Sequence, residues 1–259
     1  MKFLVANDDG IFAPGIKQLA KVFAPFGTVT IVGPSKEQSG MGHAITVHRP
    51  LRIQTVEVIP EAAKSFMIDG TPADCVKMAV RGLHLEPEII ISGINIGSNL
   101  GTDVLYSGTV SAAMEGVMQG IPAIAFSLSG SQQYLPTAGH YVRKILFENP
   151  GILNQPELIP QDGLLNINIP AVPIDEIKGI RVTKLGVRRY EKLFEKRIDP
   201  RGNSYFWMGG VPQPTNSHDL NIDLVAVEEG YISITPIHFD LTYHALVHEL
   251  QSVLNNEFV

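Results

Sequence analysis

Three short polar segments hold most of the residues able to do chemistry. The first is Asn7-Asp8-Asp9-Gly10, where two carboxylates stand side by side directly after the apolar run Phe3 to Ala6. The second is Ser39-Gly40-Met41-Gly42-His43, and the third is Ser92-Gly93-Ile94-Asn95-Ile96-Gly97-Ser98-Asn99. Adjacent carboxylates repel each other, and a hard divalent cation such as Mg²⁺ or Mn²⁺ relieves that repulsion while preferring oxygen ligands. The hydroxyl of Ser39 and the amide oxygen of Asn95 extend the oxygen set of Asp8 and Asp9, leaving positions for water and substrate. Asp-Asp-Gly alone is an ordinary turn. Its place at a strand end, with polar loops after other strands, is what makes it a ligand site. Ser107-Gly108-Thr109 then opens a run of small residues reaching Gln119 that reads as a helix. A helix N-terminus attracts anions, phosphate above all, although Ser107 also suits ordinary N-capping. Glycines 93, 97, 101 and 108 let backbone amides approach a ligand closely. A carboxylate-held cation, hydroxyl-bearing loops and a helix N-terminus together describe phosphoester hydrolysis. The cation neutralises phosphate charge and acidifies a water, while amides and hydroxyls stabilise the equatorial oxygens. Asp8 and Asp9 are both candidates for the general base; our reading is that Asp8 bridges cation and attacking water, and that Asn95 and Asn99 orient phosphate oxygens.

Such residues need a scaffold that gathers strand ends. Phe3 to Ala6, Thr28 to Val32, Glu88 to Gly93, Ala123 to Leu128 and Leu164 to Ile169 are short buried-strand runs bounded by turn signals. Between them, Gly15 to Phe23 places Ile16, Leu19, Ala20 and Phe23 at helical spacing, and Tyr141 to Phe147 reads as a further helix. Strands alternating with helices imply an α/β class with a doubly wound, mostly parallel sheet. In such sheets ligands bind outside the carboxyl ends of the strands, where all three polar segments fall. The later chain differs. Ile180 to Val187 and Ser204 to Met208 read as strands, with the charged stretch 188–203 and the turn Asp199-Pro200-Arg201-Gly202 between them. This predicts a long projecting hairpin of the kind that pairs with another subunit. Leu241 to Leu254 reads as a final amphipathic helix.

Composition and motifs exclude several functions. With 259 residues, 44% hydrophobic and 18% charged, the chain has enough apolar material for a large core. A net charge of −6 provides no electrostatic footprint for duplex nucleic acid or an anionic membrane. One cysteine, Cys75, cannot form an intrachain disulfide. No apolar run is long enough for a signal peptide or spanning helix. A cytoplasmic location is the expectation. No G-x-G-x-x-G follows the first strand, and neither a P-loop nor a nucleophile elbow occurs. His244 and His248 lie four apart without the HExxH pattern, and Cys75 reads as a core residue. A haloacid-dehalogenase-type phosphatase needs a second acid where Gly10 stands. A receiver domain needs a phospho-accepting Asp where the third segment has Asn95. A non-catalytic nucleotide-binding module on the same scaffold is separated from an enzyme only by assay.

NDDG at 7–10, PSKEQSGMGHAIT at 34–46, GTPADCV at 70–76, SGINIGSNLGTDVLYSGTVSAAMEG at 92–116, DPRG at 199–202 and AVEEGYISITPI at 226–237 together resemble the SurE survival-protein family of 5′/3′-nucleotidases. The resemblance runs across nearly the whole chain. It implies a phosphatase that hydrolyses nucleoside 5′- and 3′-monophosphates, with short polyphosphate as a further substrate, using one divalent cation per subunit, Mg²⁺ or Mn²⁺. Its metal ligands fall on Asp8, Asp9, Ser39 and Asn95. Ser107, Gly108 and Thr109 match the phosphate-side loop, with Ser39 and Gly40 facing it. The resemblance also implies a Rossmann-like catalytic core over residues 1–179. A C-terminal hairpin-and-helix extension over 180–259 would exchange between subunits of a homodimer or homotetramer, with its last strand and helix able to pack back on the core.

Overall fold

The computed structural model describes residues 1–148 and 151–257. The chain opens with β1 (Lys2–Ala6), α1 (Pro14–Phe23), β2 (Thr28–Pro34), β3 (Ile53–Thr55), β4 (Lys64–Ile68), α2 (Pro72–Lys77) and β5 (Ile89–Ile96). It continues with α3 (Gly108–Met118), β6 (Ala123–Ser129), α4 (Leu135–Phe147) and β7 (Gly163–Pro170). β8 (Gly179–Val182), β9 (Tyr190–Glu191), β10 (Phe194–Ile198), β11 (Ser204–Met208) and β12 (Val211–Pro212) precede α5 (Asp223–Glu228), β13 (Tyr231–His238) and α6 (His244–Glu257).

Nine strands form one sheet in the order β3-β4-β2-β1-β5-β6-β7-β13-β8. All neighbouring pairs are parallel except β3 with β4 and β13 with β7. This is the doubly wound α/β sheet that the alternation of elements implies. Helices cover both faces, so strands read as continuous apolar runs. Successive β1 residues divide between two cores. Phe3 and Val5 pack with Ile16, Leu19 and Phe23 of α1 and Val142 and Ile145 of α4. Leu4 and Ala6 pack with Cys75 and Val76 of α2 and Val110, Ala113 and Val117 of α3. The small residues of α3 bring it close to the sheet, since a Cβ on Gly116 would lie 2.5 Å from Ile90 Cδ1. Cys75 is thus a core residue, and burial pushes its thiol pKa up.

The chain runs outward from β1 in one direction through β2 and in the other through β5. The carboxyl ends of β1 and β5 therefore flank the switch point where open α/β sheets bind ligands.

Several elements differ from the sequence reading. α4 starts at Leu135 rather than near Tyr141, because Pro136 sits in the first turn, where its missing N–H costs nothing. β5 extends to Ile96 through an irregular register between Ser92 and Asn95, so Asn95 stands on the strand itself, opposite Ser127. The expected strand Ile180 to Val187 ends at Val182. Beyond it the backbone turns toward Asp223, whose Oδ1 accepts from the amide of Gly186 at 2.8 Å. The final helix begins at His244 rather than Leu241, after Asp240 accepts from the amide of Thr242 at 2.8 Å. The edge strand β3, its neighbour β4 and the short α5 carry no strong periodic signal in the sequence. A hairpin is present, but its first strand is β10, inside the charged stretch 188–203, and not Ile180 to Val187, whose start joins the main sheet as β8; β10 pairs antiparallel with β11, and β9 and β12 pair at its base. After it the chain returns through α5 to β13, which inserts between β7 and β8. Among the described residues no helix is long and apolar enough to cross a membrane.

Candidate active site at the switch point

Asp8 follows β1 and is buried, while Asp9 beside it is half-buried. Thr109 of α3 donates its hydroxyl to Asp8 Oδ1 at 2.5 Å. A Cβ on Gly108 would lie 2.6 Å from Asp8 Cβ, so only glycine lets the helix start this close. Ser107 caps the helix, accepting from the amide of Val110 at 3.0 Å. The first turn of α3 thus faces the acidic pair, and its partial positive charge suits both the carboxylates and an anion beside them.

Burial pushes the Asp8 carboxyl above its ordinary range, more than the hydrogen bonds from Thr109 draw it down. Asp9 is pushed up to about 7, by burial first and the neighbouring Asp8 charge second. Asp9 Oδ2 is buried with no hydrogen-bond partner among the described residues. Two crowded carboxylates, one with an orphaned oxygen, are what a divalent cation resolves. Among the described residues no three His, Cys, Asp or Glu side chains gather as a metal site. A cation at Asp8 and Asp9 must therefore complete its shell with hydroxyl, amide, water or phosphate oxygens. Ser39 and Asn95 have that chemistry, so the residues present fit a hard cation.

The other segments are tied to this point by backbone contacts. The amide of Gln38 donates to the carbonyl of Asp8 at 2.8 Å, which brings the turn of Ser39 and Gly40 alongside. Ser39 is exposed and donates its hydroxyl to Glu37 Oε1 at 2.7 Å. Gly40 has φ +71° with open space around it. The Gly42 amide donates to the carbonyl of Tyr106 at 2.9 Å, joining this loop to the start of α3. Asn95 donates its side-chain amide to the carbonyl of Gly97 at 2.9 Å. Asn99 faces inward instead, donating Nδ2 to Ser127 Oγ at 2.8 Å. Its carbonyl accepts from the side chains of Asn166 and Asn168, and its amide donates to Asn168 Oδ1. Asn99 therefore anchors the loop after β5 to the sheet.

Several residues that build the site escaped the sequence reading. Asn166 and Asn168 were visible as the polar positions of the otherwise apolar run LLNINIP. Glu115 lies in α3, fully buried, 3.1 Å from His43 Nε2 and 3.3 Å from Lys77 Nζ. Burial pushes its carboxyl up, but hydrogen bonds from His43 and Gln119 and the Lys77 charge outweigh it and hold the group below its usual range. Asp74 closes a capping box with Thr71 and accepts from the Thr46 amide at 3.0 Å. Together Glu115 and Asp74 fasten the loop after Ser39 at both His43 and Thr46. Asp223, buried, accepts from the amides of Gly101 and Gly186 and so ties the loop after β5 to the base of the arm. One charged residue on one helix gives no sequence signal for such long-range partners. His244 pairs with Asp240 at 2.6 Å and takes no part in the site.

Fold and site together define a doubly wound α/β protein with an acidic, oxygen-rich site at its switch point, faced by a helix N-terminus. The family model described as survival protein SurE matches residues 3–192. A 5′-nucleotidase SurE from Carboxydothermus hydrogenoformans is 49% identical, over 97% of this chain and 96% of its own. One of the same name from Heliobacterium modesticaldum is 48% identical, over 98% of this chain and 92% of its own. The crystal structure of the SurE protein from Aquifex aeolicus superposes with a TM-score of 0.80 at 37% identity, covering 98% of this chain and 99% of that one. The chain belongs to the SurE family.

Proposed function

We propose that the chain is a 5′-nucleotidase: a divalent-metal-dependent phosphatase that hydrolyses nucleoside 5′-monophosphates, and 3′-monophosphates, to nucleoside and phosphate. Short polyphosphate presents the same terminal group and is a further candidate substrate. The observation that supports this most is the contact of Gly108 and Thr109 with the buried Asp8, which sets an anion-favouring helix terminus against the acidic pair. The relatives named 5′-nucleotidase SurE support the same reading.

In this proposal Asp8, Asp9, Ser39 and Asn95 hold one Mg²⁺ or Mn²⁺. Bound there, the cation would supply neutralisation of phosphate charge and a lowered water pKa. Asp8, fixed by Thr109, accepts the proton of the attacking water. Asp9 shares the charge of the site. Ser39, Gly40, Ser107, Gly108 and Thr109 surround the phosphoryl oxygens with hydroxyl and amide donors. Asn95 orients a phosphoryl oxygen from the end of β5, and Asn99 serves by holding the loop that follows it. Residues 1–179 form the catalytic core. Residues 180–259 form the extension that links a homodimer or homotetramer, with its last strand, β13, packed back into the core sheet, and the site operates in the cytoplasm.

Phosphate release from a panel of nucleoside 5′- and 3′-monophosphates, with EDTA, Mg²⁺ or Mn²⁺, tests the proposal. Release that EDTA abolishes and metal restores is the expected result. No release with either metal, from folded protein, would leave a binding module rather than an enzyme.

A further inference from the structure

A cleft of about 620 Å³ opens between the loop after β5 and the base of the arm. That volume lies within the roughly 300–1,000 Å³ typical of small-molecule sites. Ser98, on the loop that follows Asn95 of β5 and carries Asn99, lines it together with Arg188, Arg189 and Gln213 of the arm. Leu224 and Val227 of α5 add apolar surface. The two sides are linked, since Arg188 donates Nη1 to Ser98 Oγ at 3.1 Å.

The charge balance of the cleft limits what it can take. Arg188 lies 3.5 Å from Asp103 Oδ2, which also accepts from the Tyr190 hydroxyl. Glu228 lines the cleft opposite in charge to Arg189. One guanidinium is thus paired with a carboxylate and the lining carries a further acid, so the cleft offers hydrogen-bond donors and cationic groups with little net positive charge. A second phosphate is poorly matched to it. An uncharged heterocycle with hydroxyls is well matched, because a guanidinium stacks on a ring face and donates to ring-edge acceptors. Leu224 and Val227 suit the apolar faces of the same ring.

We propose that this cleft seats the nucleoside portion of the substrate, base and ribose, while the phosphate lies at Asp8 and Asp9. Arg188, Arg189 and Gln213 are then the residues that set preference for nucleotides over other phosphate esters. The inference rests on the nucleotidase reading above, and it makes the arm part of the substrate site.

The test compares kcat/KM for a nucleoside 5′-monophosphate with that for p-nitrophenyl phosphate, which lacks base and ribose. It uses the full chain, Arg189→Ala at an exposed side chain, and Thr215→Trp, which obstructs the cleft from the arm. Saturation-transfer NMR of the wild type with adenosine alone is measured alongside. The expected result is a fall of about tenfold or more in the nucleotide-to-nitrophenyl ratio for both variants, carried by KM, with adenosine signals weakened in both. A ratio unchanged in both variants, with the enzyme active, overturns the cleft assignment and leaves the phosphatase standing. Failure of adenosine to bind the active wild type does the same. Failure of the phosphatase reading has its own signature, no phosphate from either ester, and it overturns the nucleoside assignment as well.

Discussion

At the residue scale the account turns on Asp8 and Asp9. Their adjacency after an apolar run is plain in the sequence, and so is the need for something to relieve it. The burial that raises both carboxyls is not, because it comes from α3 and the Ser39 loop folding over them. This burial fixes a pH dependence. The folded-state pKa of Asp9 is raised from 3.8 to about 7, so the folded protein binds more protons than the unfolded chain between these values. By linkage, this group makes the metal-free protein less stable as pH rises through that window. Metal binding must displace the proton below pH 7 but not above it. Thermal denaturation at fixed Mn²⁺ is expected to show a larger metal-induced rise in Tm at pH 8 than at pH 6. An equal rise at both would mean that Asp9 does not compete for protons with the metal.

At the element scale most strands and helices were legible, because buried parallel strands read as apolar runs and α1 has clear helical spacing. The identity of α3 as a helix was also legible from its small residues and its Ser107 cap. Its partner was not, since nothing in 108–118 names Asp8, a residue 101 positions from Thr109. Strand ends were read too early at β5 and too late at β8 for the same reason. Register irregularity and the pull of Asp223 are tertiary effects. The close approach of α3 to Asp8 yields a sharp prediction. Gly108→Ala places a methyl 2.6 Å from Asp8 Cβ, so the helix or the carboxylate must move. Overpacking of this kind costs about 1–3 kcal/mol. We expect a lower Tm together with a fall in kcat of about tenfold or more, since misplacement by about 1 Å costs up to about a hundredfold. A variant with wild-type kcat would show that α3 does not position the acidic pair.

At the scale of the whole molecule, the sheet accounts for the core but not for the arm. Phe194, Ile198, Phe206, Trp207 and Met208 on the hairpin are all exposed, as are Leu241, Leu250 and Val253 before and within α6. By the register of the hairpin Phe194, Ile198, Phe206 and Met208 share one face, and exposed apolar surface of this kind marks an interaction site. The sequence announced the hairpin by its turn at Asp199-Pro200-Arg201-Gly202, but not that β13 would return to the sheet beyond it. If the proposed dimer or tetramer forms through this arm, paired substitution of Phe206 and Trp207 by Ser is expected to lower its mass in solution toward the monomer, read by light scattering. An unchanged oligomeric mass would place the subunit contact elsewhere.

The most direct test of the central claim is kcat/KM for a nucleoside 5′-monophosphate at saturating Mn²⁺, measured for wild type and Asp9→Asn. The substitution keeps size and removes a charge on which the proposed metal-assisted phosphoryl stabilisation depends. The loss of several kcal/mol of such stabilisation corresponds to about a thousandfold or more. The account predicts a fall of that size, while the metal-free variant at pH 8 melts no lower than wild type because a buried like-charge pair has been relieved. Activity within tenfold of wild type would contradict it, and would move the chemistry away from the acidic pair.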